Sequence, residues 1–284
     1  DTHVKSFMPV MQQAPEERWI FATIDRWRGA EGASEELAKH GIVAAELPRD
    51  VAAWLAQEAI DVVILGNDHG IIEGTIVLVC KALGVPTLLV QDGVFGKREG
   101  LDSAFIRLAK AFLQAPLLAV RQYRFMWRNA GFRPAIGDLR AKLAKDIIYG
   151  SRGVTALAVM GPPDAERFRQ VAPPETAIHV TGQPRFDEML CELSGVAESV
   201  RNGWTLQPDL PVAIVLTDGL VEYGAWSEST ALGWLRDVAA ACRQGGWQMV
   251  LKPHPREPKD AVESRLTRAT EGQPPAIQWD RLHA

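Results

Sequence analysis

A short basic segment near the end of the sequence carries residues that could bind an anion. It reads Lys252-Pro253-His254-Pro255-Arg256 and follows a short apolar run. The two prolines restrict the backbone on both sides of the histidine, and two positive charges flank the imidazole. Rigid cations beside an imidazole suit a phosphate or carboxylate ligand. An ordinary strand-to-helix turn with solvated charges explains the segment equally well when it is taken alone.

An aspartate, Asp92, stands at the end of another apolar run and directly before a glycine. We expect a carboxylate at such a strand end to be exposed, where it could take a proton from an attacking hydroxyl group. A general base of this kind contributes roughly 10²–10⁴-fold to a rate. A turn aspartate without a catalytic role has the same local sequence. Asp68 and His69 form a second candidate acid/base pair, although an Asx turn explains Asp68 as well.

These polar segments need strands that end beside them, and the sequence predicts such strands. Continuous apolar runs alternate with helical patterns at residues 34–40, 51–58 and 73–83. Continuous runs are expected for strands covered on both faces, and strand–helix alternation predicts an α/β fold with parallel sheets. The predicted strands are Trp19–Ile24, Ile42–Leu47, Val62–Leu65, Thr87–Val90, Leu157–Met160, Ile178–Val180, Val212–Leu216, Met249–Leu251 and Ala276–Trp279.

The same pattern predicts two Rossmann-like domains, with about six strands in the first and at least three in the second. We place the boundary so that residues 1–190 form the N-terminal domain and residues 191–284 the C-terminal domain. Two such domains would face each other across a cleft, and their ligands would bind at the carboxyl ends of the strands. Four polar clusters at predicted strand ends favour a functional cleft over routine loop chemistry: 66–70, 91–93, 217–219 and 253–256.

Composition and missing motifs argue against several classes of protein. The 284-residue chain is 47% hydrophobic and 23% charged, which is typical of globular proteins, and its net charge of −4 argues against nucleic-acid binding. It has no dinucleotide-binding G-x-G-x-x-G and no P-loop. The three dispersed cysteines and the absence of metal-ligand spacing predict no metal, no cofactor and a reducing, cytoplasmic compartment. We interpret His3, His40, His179 and His283 as packing or surface residues.

Residues 96–152 form a basic block. It contains twelve Lys and Arg against four Asp and Glu, a net charge of +8 that leaves −12 for the rest. The pattern predicts one or two amphipathic helices, interrupted near Pro116 and near residues 131–134. One interpretation is a basic surface that meets a membrane or an anionic acceptor. The other is a helical insertion whose apolar side packs on the domain, and the charge excess then still calls for a partner.

Two motifs taken in order resemble those of a known group of enzymes. Gln91-Asp92-Gly93 and the segment 252–256 are similar to the acidic-acidic-glycine and HP motifs of two-domain GT-B glycosyltransferases of bacterial surface polysaccharides, such as sialyl- and polysialyltransferases. The two motifs are also similar to those of Kdo transferases of capsule assembly and of CDP-glycerol glycerophosphotransferases. The run Val180–Asp187 resembles the G-N-P-R-F-D segment between the domains of these proteins and of UDP-sugar 2-epimerases.

The resemblance implies a metal-independent transferase that moves a sugar or glycerol phosphate from a nucleotide-activated donor to a glycan or lipid-linked acceptor. It implies that Asp92 is the catalytic base on the acceptor hydroxyl, and that His254 is the catalytic contact to the donor phosphate. We expect the enzyme in the cytoplasm, where the basic block 96–152 would give it peripheral contact with the inner membrane face. The other predicted substrate contacts, several inferred from position alone, are Lys252, Arg256, Thr217, Asp218, Gly219, Asp68, His69 and Arg185.

The chain departs from the family pattern in two places. Gln91 stands at the first acidic position, and no Ser/Thr-rich donor loop follows the HP motif before Ala284. Because the sequence begins without methionine and ends just after an apolar run, we expect a piece of a longer protein with an incomplete donor domain. Two alternatives stay open: a UDP-sugar 2-epimerase that uses Asp68 or His69, and a non-catalytic module that binds an anionic glycan or a membrane through 96–152.

Overall fold

A computed structural model describes most of the chain. The described residues are 2–24, 27, 32–92, 116–144, 149–186, 206–207, 209–222, 224–254, 257–270 and 276–277. The chain divides into two compact units, residues 1–191 and residues 192–284. The assignment of these units to an acceptor and a donor remains a prediction.

The first unit is built on parallel strands. Strand β1 (Ala22–Thr23) pairs with β2 (Ala45–Glu46), while β3 (Val63–Leu65), β4 (Thr87–Val90), β5 (Ala156–Val159) and β6 (Ala177–Val180) form a sheet in that order. Every pairing between these strands is parallel. The segments that follow β3, β4 and β5 therefore lie beside one another at the carboxyl ends of these strands. The described helices of this unit are α1 (Thr2–Gln13), α2 (Ala33–Lys39), α3 (Val51–Gln57), α4 (Ile71–Leu83), α5 (Pro116–Ala130), α6 (Phe132–Ala144) and α7 (Pro162–Arg169).

The core of the first unit lies where the strands meet α4. Leu89 and Leu157 of the sheet are fully buried together with Ile72 and Cys80 of α4. Burial raises the pKa of the Cys80 thiol to about 11, so this cysteine stays protonated and behaves as a small apolar side chain. The helix ends at Gly84, whose φ of 72° gives the left-handed conformation common at helix C-termini.

Two helices make up residues 116–144 of the basic block. They are α5 and α6, separated at Gly131 with φ of 95°. Phe125 and Met126 of α5 are buried, and the Phe125 ring lies 4.5 Å from that of Trp27, measured between centroids. Residues 116–144 are thus helical, with Phe125 and Met126 packed inside the first unit, and 96–115 and 145–148 lie outside the described residues. Within the described ranges, no helix is long and apolar enough to cross a bilayer.

The second unit repeats the parallel arrangement on a smaller scale. Strands β7 (Val212–Leu216), β8 (Gln248–Lys252) and β9 (Ala276–Ile277) pair in that order. The described helices are α8 (Glu228–Gln244) and α9 (Lys259–Ala269). The Ser227 hydroxyl caps α8 by accepting the Thr230 N–H at 3.1 Å. Leu235, Leu251 and Leu266 form the core between the helices and the sheet.

The predicted α/β fold with parallel sheets is confirmed, and each predicted strand overlaps an observed one. Helices α2, α3 and α4 correspond to the predicted helical patterns. The predicted strand Trp19–Ile24 is longer than β1, because an apolar run does not show where the paired neighbour ends. Residues 278–279 of the last predicted strand lie outside the described residues.

Replacing Leu266 with alanine tests the core of the second unit. The side chain is 0% exposed, so the cavity left behind should lower the free energy of unfolding by about 2–5 kcal/mol. Leu117→Ala is the matched control, because its side chain is 85% exposed and the change should stay within about 0.5 kcal/mol. Urea denaturation measures the free energy of unfolding of both variants. Equal losses of this free energy would contradict the assigned core.

Candidate functional site

His254 lies just beyond the carboxyl end of β8, beside the residues that follow β7. Its backbone N–H donates to Thr217 Oγ1 at 3.0 Å and to Glu257 Oε2 at 2.8 Å. Thr217 donates its hydroxyl to the same Glu257 oxygen and its N–H to the carbonyl of Lys252 at 3.2 Å. The structure therefore brings together three of the predicted substrate contacts at one end of the parallel sheet.

A glycine lets the His254 imidazole lie against the backbone. Gly219 has φ of +61°, and a Cβ built on it would lie 3.1 Å from His254 Nδ1 and 3.3 Å from Cγ. Any side chain at this position would therefore be strained and would crowd the ring. Residues 217–219 are predicted substrate contacts. The backbone N–H of Thr217 is not available to a ligand, because it bonds to the carbonyl of Lys252.

A buried carboxylate, Glu257, holds the segment around His254. Its Oε1 accepts from Arg265 Nη1 at 3.1 Å, while Oε2 accepts from Thr217 and His254. Arg265 also donates to Glu228 at 2.9 Å. That hydrogen bond raises the pKa of Arg265 and lowers the pKa of Glu228. Because both oxygens of the buried carboxylate have donors, the backbone at His254 is fixed before any ligand binds.

A cavity of about 90 Å³ lies beside the end of β7. Most of its walls are apolar and include the rings of Trp226 and Trp234, whose centroids are 5.9 Å apart. Thr217, Asp218 and Arg265 supply polar groups to the lining. A cavity of this size holds only part of a typical ligand, and its apolar faces with few polar groups suit a flat ring.

Asp92 follows β4, but α1 covers its side chain. The side chain is only 6% exposed. Its Oδ1 accepts from the Ser6 hydroxyl at 3.0 Å, and its Oδ2 lies 3.1 Å from His3 Nδ1. The expectation of an exposed carboxylate is therefore wrong, because a helix that lies 86 residues earlier in the chain folds over the strand end.

His3 is a candidate that the sequence analysis missed. Its Nδ1 is buried, and the contact with Asp92 lacks the alignment of a hydrogen bond, whereas 39% of the side chain is exposed. The ring lies directly on Gly66 at the end of β3, where an added Cβ would overlap it. His3 and Ser6 are three residues apart, so they share one face of α1, which is a local signal that the sequence did offer.

Gln91 ties the ends of three strands together. Its buried Oε1 accepts the Met160 N–H after β5 at 3.0 Å, and its carbonyl accepts from Gln183 Nε2 after β6 at 3.0 Å. The first position of the Gln91-Asp92 pair therefore has a structural role here. Arg185, two residues beyond Gln183, is half-buried with its guanidinium 5.7 Å from the centre of the Phe186 ring. Its role as a substrate contact remains a prediction.

Asp68 is fully buried and holds a neighbouring segment in place. It accepts the Gly150 N–H at 3.0 Å and the Arg152 N–H at 3.2 Å. Burial raises the pKa of Asp68 in spite of these hydrogen bonds. An Asx-type contact is formed instead by Asn67, whose Oδ1 accepts the His69 N–H at 2.9 Å. We therefore assign Asp68 a structural role.

His69 lines a second cavity of about 180 Å³, together with Glu73, Gln122 and Lys142. Partial desolvation of the imidazole, and then the positive charge of Lys142, lowers the pKa of His69. Desolvation also lowers the pKa of Lys142. Among the described contacts no hydrogen bond joins His69 to Asp68, so the expected acid/base pair is not formed there.

Arg256 and Gly93 lie outside the described residues, so the role of Arg256 as a substrate contact remains a prediction. In the part of the chain that the structure covers, no group of three His, Cys, Asp or Glu side chains is arranged to hold a metal ion.

No protein-family model matches the chain, and no curated protein matches it significantly.

Glu257→Ala tests the network below His254. Arg265 would lose a buried partner and the His254 N–H an acceptor, so the free energy of unfolding should fall by about 3 kcal/mol. Glu263→Ala on the exposed face of α9 is the matched control and should stay within about 0.5 kcal/mol. Urea denaturation reports both values. If the two variants are equally stable, Glu257 does not hold this segment.

Proposed function

We propose that the protein is a glycosyltransferase-like enzyme that moves a sugar or a glycerol phosphate from a nucleotide-activated donor to a surface-polysaccharide acceptor. One observation carries the proposal. His254, Lys252 and residues 217–219 converge at the carboxyl end of a parallel sheet, which is where α/β folds bind their ligands. The proposal includes a GT-B-type arrangement, with the acceptor on the first Rossmann-like domain and the donor on the second.

In this proposal the second unit binds the phosphate of the donor. The acceptor oxygen forms a bond to the transferred group, and the bond from that group to the nucleotide phosphate breaks. The electron pair leaves with the phosphate, so negative charge grows on its oxygens. In this proposal His254 and Lys252 stabilise this charge, and donors whose position is fixed beforehand are the most effective ones.

The acidic side chain nearest to the His254 backbone is already paired. Glu257 accepts from the His254 N–H and from Arg265, which also contacts Glu222 and Glu228. The cavity beside β7, with Trp226 and Trp234 in its walls, lies next to the same residues and could accommodate part of the flat base of the donor.

A thermal-shift panel with CMP, CDP, UDP and GDP tests the donor site. At a concentration 100 times its Kd, a bound nucleotide should stabilise the protein by about 2.7 kcal/mol. His254→Ala should weaken binding of that nucleotide at least tenfold, because it loses a contact to the phosphate. His179→Ala, on the exposed strand β6, is the matched control and should bind as the wild type does.

Two results would contradict this proposal. One is the absence of any nucleotide-dependent shift in the wild type. The other is formation of the 2-epimer from UDP-N-acetylglucosamine without an acceptor, which would identify an isomerase. The structural role of Asp68 weakens that alternative, since Asp68 is one of the two groups that an epimerase was expected to use.

We further propose that the enzyme meets an anionic membrane surface through α5 and α6. Leu117, Arg124, Trp127 and Arg128 lie on the exposed side of α5, where Trp127 is 58% exposed. Its ring contacts that of the exposed Phe132 at 5.6 Å between centroids. Residues 116–144 contain six Lys and Arg against one Asp. Apolar rings beside arginines are typical of helices that bind the interface of an anionic bilayer.

Co-sedimentation with vesicles that contain phosphatidylglycerol tests this surface. Arg124→Glu/Arg128→Glu should weaken binding at least tenfold, since each basic residue near such a surface contributes about 1 kcal/mol. Arg169→Glu on α7 is the control, because Arg169 is exposed and pairs with Glu166 away from α5. Equal binding of both variants, or equal binding to neutral vesicles, would contradict the proposed contact.

A further inference from the structure

We propose that His3 is the catalytic residue that takes the proton from the acceptor hydroxyl, and that Asp92 is a positioning residue that acts through it. This inference rests on the transferase function proposed above and names the base of its acceptor side. Neither the sequence motif nor the resemblance points to His3. The inference comes from the contact between α1 and the ends of β3 and β4.

Burial separates the roles of the two side chains. Asp92 is 6% exposed, and its two carboxylate oxygens already face Ser6 and His3. A substrate hydroxyl would have to displace one of these partners to reach it. The Nδ1 of His3 is buried, so the exposed 39% of its side chain belongs to the other atoms of the residue. The ring can therefore offer Nε2 to a substrate while Nδ1 faces Asp92.

Two neighbours fix this arrangement. Ser6, three residues further along α1, donates to Asp92 Oδ1 at 3.0 Å and so leaves Oδ2 for the imidazole. Gly66 provides the space for the ring, because a Cβ at this position would overlap Nδ1 and Cγ of His3. Nδ1 and Oδ2 lie 3.1 Å apart without the alignment of a hydrogen bond, and such contacts often tighten when substrate binds.

The proton and electron balance of the step is complete. The acceptor oxygen forms a bond to the transferred group, and its proton moves to Nε2 of neutral His3. The bond from the transferred group to the phosphate breaks, and the electron pair leaves with the nucleotide. Asp92 stays ionised and stabilises the imidazolium through Nδ1–H, and the proton then passes from Nε2 to water. A carboxylate that orients a histidine in this manner serves hydrolases of unrelated folds.

Activity and NMR together test the inference on the whole protein. The probes are UDP-N-acetylglucosamine, CMP-N-acetylneuraminate and CDP-glycerol, with nucleotide release as the readout. His3→Gln should lower kcat by about 10²–10⁴-fold with KM changed by less than about threefold. Asp92→Asn should lower kcat by a comparable factor. His40→Gln, an exposed histidine on the same unit, should keep the wild-type kcat.

A second readout does not depend on turnover. In ¹⁵N NMR spectra, neutral His3 should carry its proton on Nδ1, and Asp92→Asn should shift the tautomer toward Nε2. Gly66→Ala should displace the ring and lower kcat as His3→Gln does, while the fold is kept because only a side chain must move. Imidazole added to His3→Ala should restore part of the activity, which a purely structural role of His3 would not allow.

The outcomes separate this inference from the proposed function. If the wild type releases nucleotide and His3→Gln keeps more than a third of its kcat while Asp92→Asn loses activity, Asp92 is the base and the inference is overturned. A His3 tautomer that does not respond to Asp92→Asn overturns it as well. If no probe is turned over and no nucleotide binds, the proposed transferase function fails instead.

Discussion

The position of His254 depends on one buried carboxylate. Glu257 accepts from the His254 backbone, from the Thr217 hydroxyl and from Arg265, so it joins β7, β8 and α9 at a single point. A charge in a site of low polarity is costly unless donors surround it, and here the donors belong to the elements that must be held together. The geometry of the candidate anion site is therefore a consequence of satisfying Glu257.

In the first unit, buried side chains, both neutral and charged, likewise hold distant backbone segments by hydrogen bonds. The Tyr149 hydroxyl lies 3.1 Å from the carbonyl of Gly66 and 2.9 Å from that of Val90, and its single proton serves one of them at a time. Burial raises the pKa of Tyr149, so the hydroxyl remains a donor at physiological pH. Asp68 and Gln91 bind backbone groups of distant segments in a similar manner. These contacts fix two strand ends, the one at Gly66, against which the His3 ring packs, and the one at Asp92.

The sequence predicts the elements better than it predicts their contacts. Continuous apolar runs located each strand, because burial on both faces leaves a local signature. The proximity of Thr217 and His254 also followed, since both come directly after neighbouring strands of a parallel sheet. The cover of Asp92 by α1 did not follow, because nothing in the local pattern of Ser6 shows that it bonds a residue 86 positions away. Asp68 was equally ambiguous, because a buried acceptor and a surface turn share the same flanking residues.

The Glu257–Arg265 pair is better explained by the positioning of His254 than by a contribution to folding stability. Buried ion pairs contribute little to folding compared with apolar side chains of the same volume, since desolvation offsets most of their attraction. An apolar pair would fill the space between α9 and the sheet at least as well. It would leave the His254 N–H without the Glu257 acceptor and the Thr217 hydroxyl without its carboxylate partner, and the imidazole would lose its fixed position against Gly219. The charged pair thus favours a defined position of the His254 backbone over maximal stability.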